Sequence, residues 1–180
     1  QLAPQRGSAV LGVVGAVGGV GATTVAIACA LGAGPDCLLV DADPDSPGLD
    51  LPLGIPEGQG VRWSAIPDSP DPLDPSSLRS ALPQVGGVRV VTGSGIESGL
   101  AAGTGPLGAP GRGRVAGVLG VGRAEFAHTV VDAGRGRVSP GLIGPRDAVA
   151  LVLPATLAGV VAGRRVLADL TAGQVVVLLR

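Results

Sequence analysis

The sequence has no lysine, no tyrosine and no methionine, and its aromatic side chains are Trp63 and Phe126 alone. A core without aromatics must be assembled from Val, Leu, Ala and Ile, which suits a buried parallel sheet covered by helices. All thirteen basic residues are therefore Arg, and with a net charge of −1 nothing global attracts nucleic acid or anionic lipid. The two cysteines, Cys29 and Cys37, match neither a CxxC redox pair nor a zinc spacing, and read as reduced thiols of a cytoplasmic protein. With His128 as the one histidine, opening an apolar strand, no Ser-His-Asp set is assigned. No apolar run reaches the roughly 18 residues of a membrane span, and no signal peptide is visible. The 180 residues match the size of one domain. Opening on QLAPQRGS without Met, the chain reads as a piece trimmed from a longer protein.

What is present is an alternation of short apolar runs and helical patterns, the mark of βα units around a parallel sheet. SAVLGVV (8–14) reads as a first strand, and TTVAIACAL (23–31) as a helix stopped by Gly32, Gly34 and Pro35. CLLV (37–40) reads as a second strand ending on Asp41-Ala42-Asp43. Residues 44–75, rich in Pro and Asp, read as an irregular excursion on the ligand side, followed by a short helix over 74–82 with Pro near its start. Strands are expected at 88–91, 128–131, 148–153 and 174–179, a mobile Gly-rich loop at 92–112 and a weak helix at 113–122. The strongest amphipathic helix spans 155–170, with Leu157, Val160, Val161, Leu167 and Leu170 on or near one stripe. The expected fold is α/β, a mostly parallel sheet flanked by helices on both faces, with a site at the C-terminal ends of the strands.

The stretch GAVGGVGATTVA (15–26) lies between the first strand and the first helix. Glycines there let main-chain N–H groups point inward at an anion, and the helix start adds the positive end of its dipole. In a chain with 32 glycines, a chance cluster is one alternative. A dinucleotide site is another, since Gly15, Gly19 and Gly21 precede Asp41 by about 20 residues, the spacing of a ribose-binding carboxylate. The Tyr and Lys used by short-chain dehydrogenases are missing, so that chemistry is excluded, while bare dinucleotide binding stays open.

VGGVGATT at 17–24 resembles the deviant Walker A loop K-G-G-x-G-K-T-T of the MinD/ParA group of P-loop ATPases. Asp41-Ala42-Asp43 followed by Leu49-Asp50-Leu51 resembles that group's D-x-D and L-D-L segments, and Val130-Val131-Asp132 resembles its Walker B strand end. Within the group the chain looks nearest the CpaE/TadZ branch, including actinobacterial septum-site-determining proteins. There lysine-less loops recur, and a segment like Gly60-Val61-Arg62-Trp63 follows the L-D-L. The resemblance implies a P-loop NTPase fold binding ATP or ADP with Mg²⁺. Gly18, Gly19, Val20, Gly21, Ala22, Thr23 and Thr24 would cradle the phosphates, and Thr23 would ligate Mg²⁺. Asp41 and Asp132 would hold the ion's waters, and Asp43 would position a lytic water as the candidate catalytic residue. It further implies a homodimer that places pilus-secretion or cell-division proteins, cytoplasmic and recruited to a pole or septum. The domain would be a single P-loop ATPase-like unit over 1–180, with a receiver-like domain upstream and a C-terminal part beyond it. Membrane contact is left open. Nucleic-acid binding is not expected, for lack of a dense basic stripe.

The departures from the pattern carry weight. Val17 and Ala22 stand where the family has its two lysines. Losing the second lysine removes a charge-assisted contact of about 1.5–3 kcal/mol, roughly 10- to 150-fold in affinity. Hydrolysis suffers more, since phosphoryl transfer depends on cations around the developing charge, and is expected to be slow or absent. Gly134 occupies a position where the family often has Pro. Solvated strand-end turns are the plain alternative for Asp41, Asp43 and Asp132. A packing or capping role is expected for His128, solvation or contact with phosphate or a partner for Arg135 and Arg137, and packing, partner anchoring or a lid role for Trp63. A weakly active ATPase and a scaffold that has lost its nucleotide remain the rival functions.

Overall fold

A computed structural model of the protein describes residues 8–43, 45–68, 72–93, 112–136, 138 and 142–180. The apolar runs become strands β1 (Ala9–Gly15), β2 (Cys37–Asp41), β3 (Gln84–Val85), β4 (Val88–Val91), β5 (His128–Arg135), β6 (Ala148–Leu153) and β7 (Gln174–Leu179). They form one sheet in the order β3-β4-β2-β5-β1-β6-β7, parallel except for the β3–β4 hairpin. The hairpin was not legible in the sequence; it turns on Gly86 and Gly87, both at positive φ.

Side chains alternate across the sheet. Leu38 and Val40 of β2 join one core, while Cys37 and Leu39 join the other. Helix α1 (Ala22–Ala33) covers the second face through Ala22, Ala26 and Ala30, whose four-residue spacing and small size let the helix lie close to the strands. The first face is covered by α3 (Pro75–Ala81), α4 (Arg112–Glu125) and α5 (Leu157–Asp169), through Leu78, Val118, Leu119 and Val166 among others. Burial raises the Cys37 thiol to about 11, so it is an inert core residue, and Cys29 is half-buried. Phe126 is buried and carries the guanidinium of Arg79 over its ring at 4.4 Å.

Three expectations need correcting. The 44–75 excursion is less irregular than its Pro content implies, because it holds α2 (Asp50–Leu53) and a 3-10 turn at Trp63–Ala65. His128 is exposed at the start of β5 and packs into no core. Most of the apolar stripe expected on α5 points the wrong way: Leu157, Val160, Val161 and Leu167 are exposed, Leu170 alone packs partly against the core, and the buried face is Gly159, Gly163 and Val166. Close approach decides this orientation. A Cβ on Gly159 would lie 2.2 Å from the Pro154 carbonyl oxygen, and one on Gly163 2.9 Å from Leu153 Cδ2, so only the glycine face can seat against β6. The start of α5 is fixed by Thr156, whose side chain accepts a 3.1 Å hydrogen bond from the Gly159 amide. Thr156→Ala should cost about 1 kcal/mol, read as a lower urea midpoint at unchanged slope. Most of the Gly-rich loop expected at 92–112, along with Pro44 and Arg137, lies outside the described residues.

Candidate functional site

Sequence and topology converge at the C-terminal end of β1, beside the central strand β5, where the chain turns through residues 16–21 into α1. The turn needs left-handed backbone at Gly19 (φ 73°) and at Gly21 (φ 90°), the residue capping α1. No side chain caps this helix and no acidic residue sits in its first turn, so the amides at its start are left for another acceptor. They open into a cleft of about 300 Å³ lined by residues 17–24 together with Asp43, Gly134, Arg135 and Arg180.

Next to Thr23 and Asp43, which line the cleft, stand two carboxylates. Asp41 ends β2 and Asp132 lies in β5, and the two are direct partners across the parallel ladder. Neither is a solvated turn: Asp41 is 3% exposed and Asp132 0%, and β5 continues past Asp132 to Arg135. Burial pushes the Asp41 carboxyl up to about 7, opposed by a hydrogen bond from Ser46 and reinforced by the charge of Asp132. Burial also raises Asp132, against hydrogen bonding from Thr23 and the Gly134 amide. Oδ1 of Asp41 and Oδ2 of Asp132 are buried without a geometrically sound hydrogen-bond partner among the described residues. Two orphaned carboxylate oxygens beside a Thr hydroxyl fit a hard divalent cation that keeps most of its waters, the habit of Mg²⁺. They do not form an all-protein cage, since no cluster of three or more His, Cys, Asp or Glu suited to a metal occurs among the described residues.

Asp43 sits at the cleft wall. Its Oδ1 accepts from the Asp45 amide at 2.9 Å, and its side chain lies against Gly134. Gly134 itself has φ 73°, and a Cβ there would lie 2.5 Å from Asp43 Cγ. The glycine that departs from the resembled motif is thus the residue this geometry demands. Arg135 also lines the cleft, beside Gly18, and pairs with Asp45 at 3.2 Å. Of the two positions that lack lysine, Ala22 is packed into the core and Val17 stays at the cleft edge.

Other residues of the site carried no signal, or an ambiguous one, in the sequence. Ser46 donates to Asp41 Oδ2 at 2.8 Å. Trp63, buried, donates its indole N–H to the Asp41 carbonyl at 2.8 Å, so it is a packing residue that also ties the excursion to the end of β2. Arg62 next to it pairs with Asp50 at 2.6 Å, and Thr92 accepts from the Leu49 amide at 2.7 Å, which holds the L-D-L segment in place. Arg180, beyond β7, was not foreseen at all; its side chain donates to the Val20 carbonyl at 3.1 Å.

Solved structures share this fold. A ParA family ATPase from Chlorobium tepidum superposes with a TM-score of 0.71 at 19% identity, over 96% of this chain and 74% of that one. The septum site-determining protein MinD of Pyrococcus horikoshii, complexed with Mg-ADP, gives 0.63 at 19% identity over 92% and 68%. The fold is that of the MinD and ParA ATPases. This MinD/ParA-like fold is shared more widely, since the kinase domain of the Escherichia coli tyrosine kinase ETK also matches, at 0.63 and 16% identity over 98% and 68%. Fold alone therefore does not choose the activity. No protein-family model matches the chain. By sequence it is 35% identical over 157 residues to the uncharacterized proteins MT3760 and Rv3660c of two Mycobacterium tuberculosis strains, covering 84% of this chain. The chain spans 43% of the length of these curated relatives. No helix among the described residues is long and apolar enough to cross a membrane.

Proposed function

We propose that this chain binds ATP or ADP with Mg²⁺ in the cleft above Asp41 and Asp132, and acts as a spatial regulator with slow or absent hydrolysis. The supporting observation is the uncapped start of α1 opening into a cleft walled by the glycine loop, with two orphaned carboxylate oxygens on residues that neighbour its Thr23 and Asp43. Main-chain amides at residues 18–24 bind the phosphates, and Thr23 ligates the ion. Asp41 and Asp132 would hold its waters, and Asp43 would orient a lytic water. When bound, the ion supplies charge neutralisation for the phosphates and for the buried carboxylates. In the CpaE/TadZ or septum-site-determining manner, a nucleotide-linked homodimer would place pilus-secretion or cell-division proteins at a pole or septum. The MinD/ParA-like fold and the resemblance of the three motifs support that reading.

Arg135 in the cleft wall favours a second reading, a weakly active ATPase, because it puts one guanidinium near the phosphates. Nucleotide titration with and without Mg²⁺, followed by a turnover assay, separates the two. Magnesium-dependent binding without turnover supports the regulator; turnover abolished by Asp43→Ala supports the ATPase. No binding under either condition would leave only a structural scaffold. Thr23→Ala should weaken Mg²⁺-dependent ATP affinity about tenfold, the loss of roughly 1.4 kcal/mol, and equal affinities in a calorimetric titration would remove Thr23 from the ion.

A further inference from the structure

The cleft as described has an electrostatic difficulty. Asp43 lines it, Asp132 neighbours Thr23 and Asp43, and Asp41 neighbours both aspartates, yet both lysines are missing from the loop and a triphosphate adds several more negative charges. A divalent ion beside the carboxylates offsets part of this, but the phosphate oxygens facing the loop still need a cation.

Arg180 meets that need from the far end of the chain. Its backbone is fixed beside β6: the Arg180 amide donates to the Leu153 carbonyl at 3.0 Å, and its carbonyl accepts from the Ala155 amide at 2.9 Å. From that anchor the side chain crosses to the glycine loop, where Nη1 donates to Val20 and lies where a Cβ on Gly21 would be. The glycine at 21 therefore serves two ends, a left-handed φ and room for a guanidinium. Arg135, by contrast, is partly neutralised by Asp45. Among the described residues no carboxylate pairs with Arg180. One neutral carbonyl engages a single donor of a group that has five and leaves its charge uncompensated.

We propose that Arg180 is the phosphate-binding cation of this cleft, doing from the end of β7 what a lysine does from within the loop of related ATPases. This rests on the nucleotide-binding reading above. A planar guanidinium suits bidentate contact with phosphate oxygens, so the contribution is to the phosphate chain and not to the base. Affinity should therefore follow phosphate charge, in the order ATP above ADP, and inorganic tripolyphosphate should compete with ATP.

The test is a titration of ATP, ADP and tripolyphosphate, each with Mg²⁺, into the full-length protein and its Arg180→Ala, Arg180→Gln and Arg180→Lys variants. Arg180→Ala and Arg180→Gln should each lose about 10- to 150-fold in ATP affinity, whereas Arg180→Lys keeps most of it. Arg180→Gln retains a neutral donor for the Val20 carbonyl, so it separates charge from loop bracing even if Arg180→Ala is poorly folded. Wild-type affinity in Arg180→Gln would overturn the proposal and leave the nucleotide-binding reading intact. Wild-type protein that binds none of the three ligands would overturn both.

Discussion

Replacing Asp41 by Asn is expected to raise the melting temperature of the nucleotide-free protein at pH 8 by several degrees. The same change should weaken its Mg²⁺-dependent ATP affinity on the order of 10- to 100-fold, the usual cost of losing a group that orients a metal's ligands. Both effects come from one side chain. Asp41 is almost wholly buried, faces Asp132 across the ladder, and has one oxygen without a partner. Burial is the main reason its carboxyl titrates near 7 instead of near the ordinary 3.8, with Ser46 acting against the shift and Asp132 with it. Between those two values the folded chain holds a proton that the unfolded chain has released, so stability falls as the pH rises through the window. The group's penalty is absent below about 4 and complete above about 7. Asn carries no charge to desolvate, so the advantage of the variant should grow across that window and then level off. Thermal melts at pH 5 and pH 8, paired with ATP titrations with and without Mg²⁺, read both arms. A variant that melts lower than wild type at pH 8, or binds with the same magnesium dependence, would contradict this account. A site that stores such strain exchanges stability for ligand binding.

The second large effect is expected at Gly134. Gly134→Pro should destabilise the protein by about 3 kcal/mol or more, for two reasons of backbone. Proline is confined to a φ near −65°, whereas Gly134 has φ 73°. Proline also removes the amide that donates to Asp132 Oδ1 at 3.2 Å, which would leave that oxygen buried and short of a partner. Gly134→Ala should cost less, about 1–3 kcal/mol, because it keeps the amide but forces a Cβ against Asp43 and into left-handed backbone. Urea denaturation ranks the three proteins, and a proline variant with an unchanged midpoint would refute the assignment. The comparison matters because proline is the residue that the motif resemblance leads one to expect at this position. Here the Asp43 carboxyl lies where a Cβ at position 134 would be, so this strand end is fitted to glycine.

The placement of both residues was only half legible. Asp41 and Asp132 were found from strand-end position and motif order, because a βα repeat necessarily brings the C-terminal ends of its strands to one edge. Their burial was not found: sequence pattern does not distinguish a strand that stops at Asp132 from one that runs on to Arg135. The stripe of α5 failed for a related reason. Its leucines and valines make a plausible inward face by periodicity, yet glycines at 159 and 163 allow the closer contact with β6, and contact distance overrides hydropathy. Trp63 was ambiguous because an indole packs in a core as readily as it anchors a partner, and the acceptor that settles its role, the Asp41 carbonyl, is 22 residues away.

By itself the sequence determined the α/β class, the strand-to-helix position of the glycine loop and the absence of any ammonium group near it. Those follow from local rules of periodicity, turn chemistry and composition. Tertiary structure alone decided which charges meet in the cleft. Arg180 reaches Val20 across 160 residues because parallel pairing of β7 with β6 delivers it there, and no local pattern encodes a contact made by the register of distant strands.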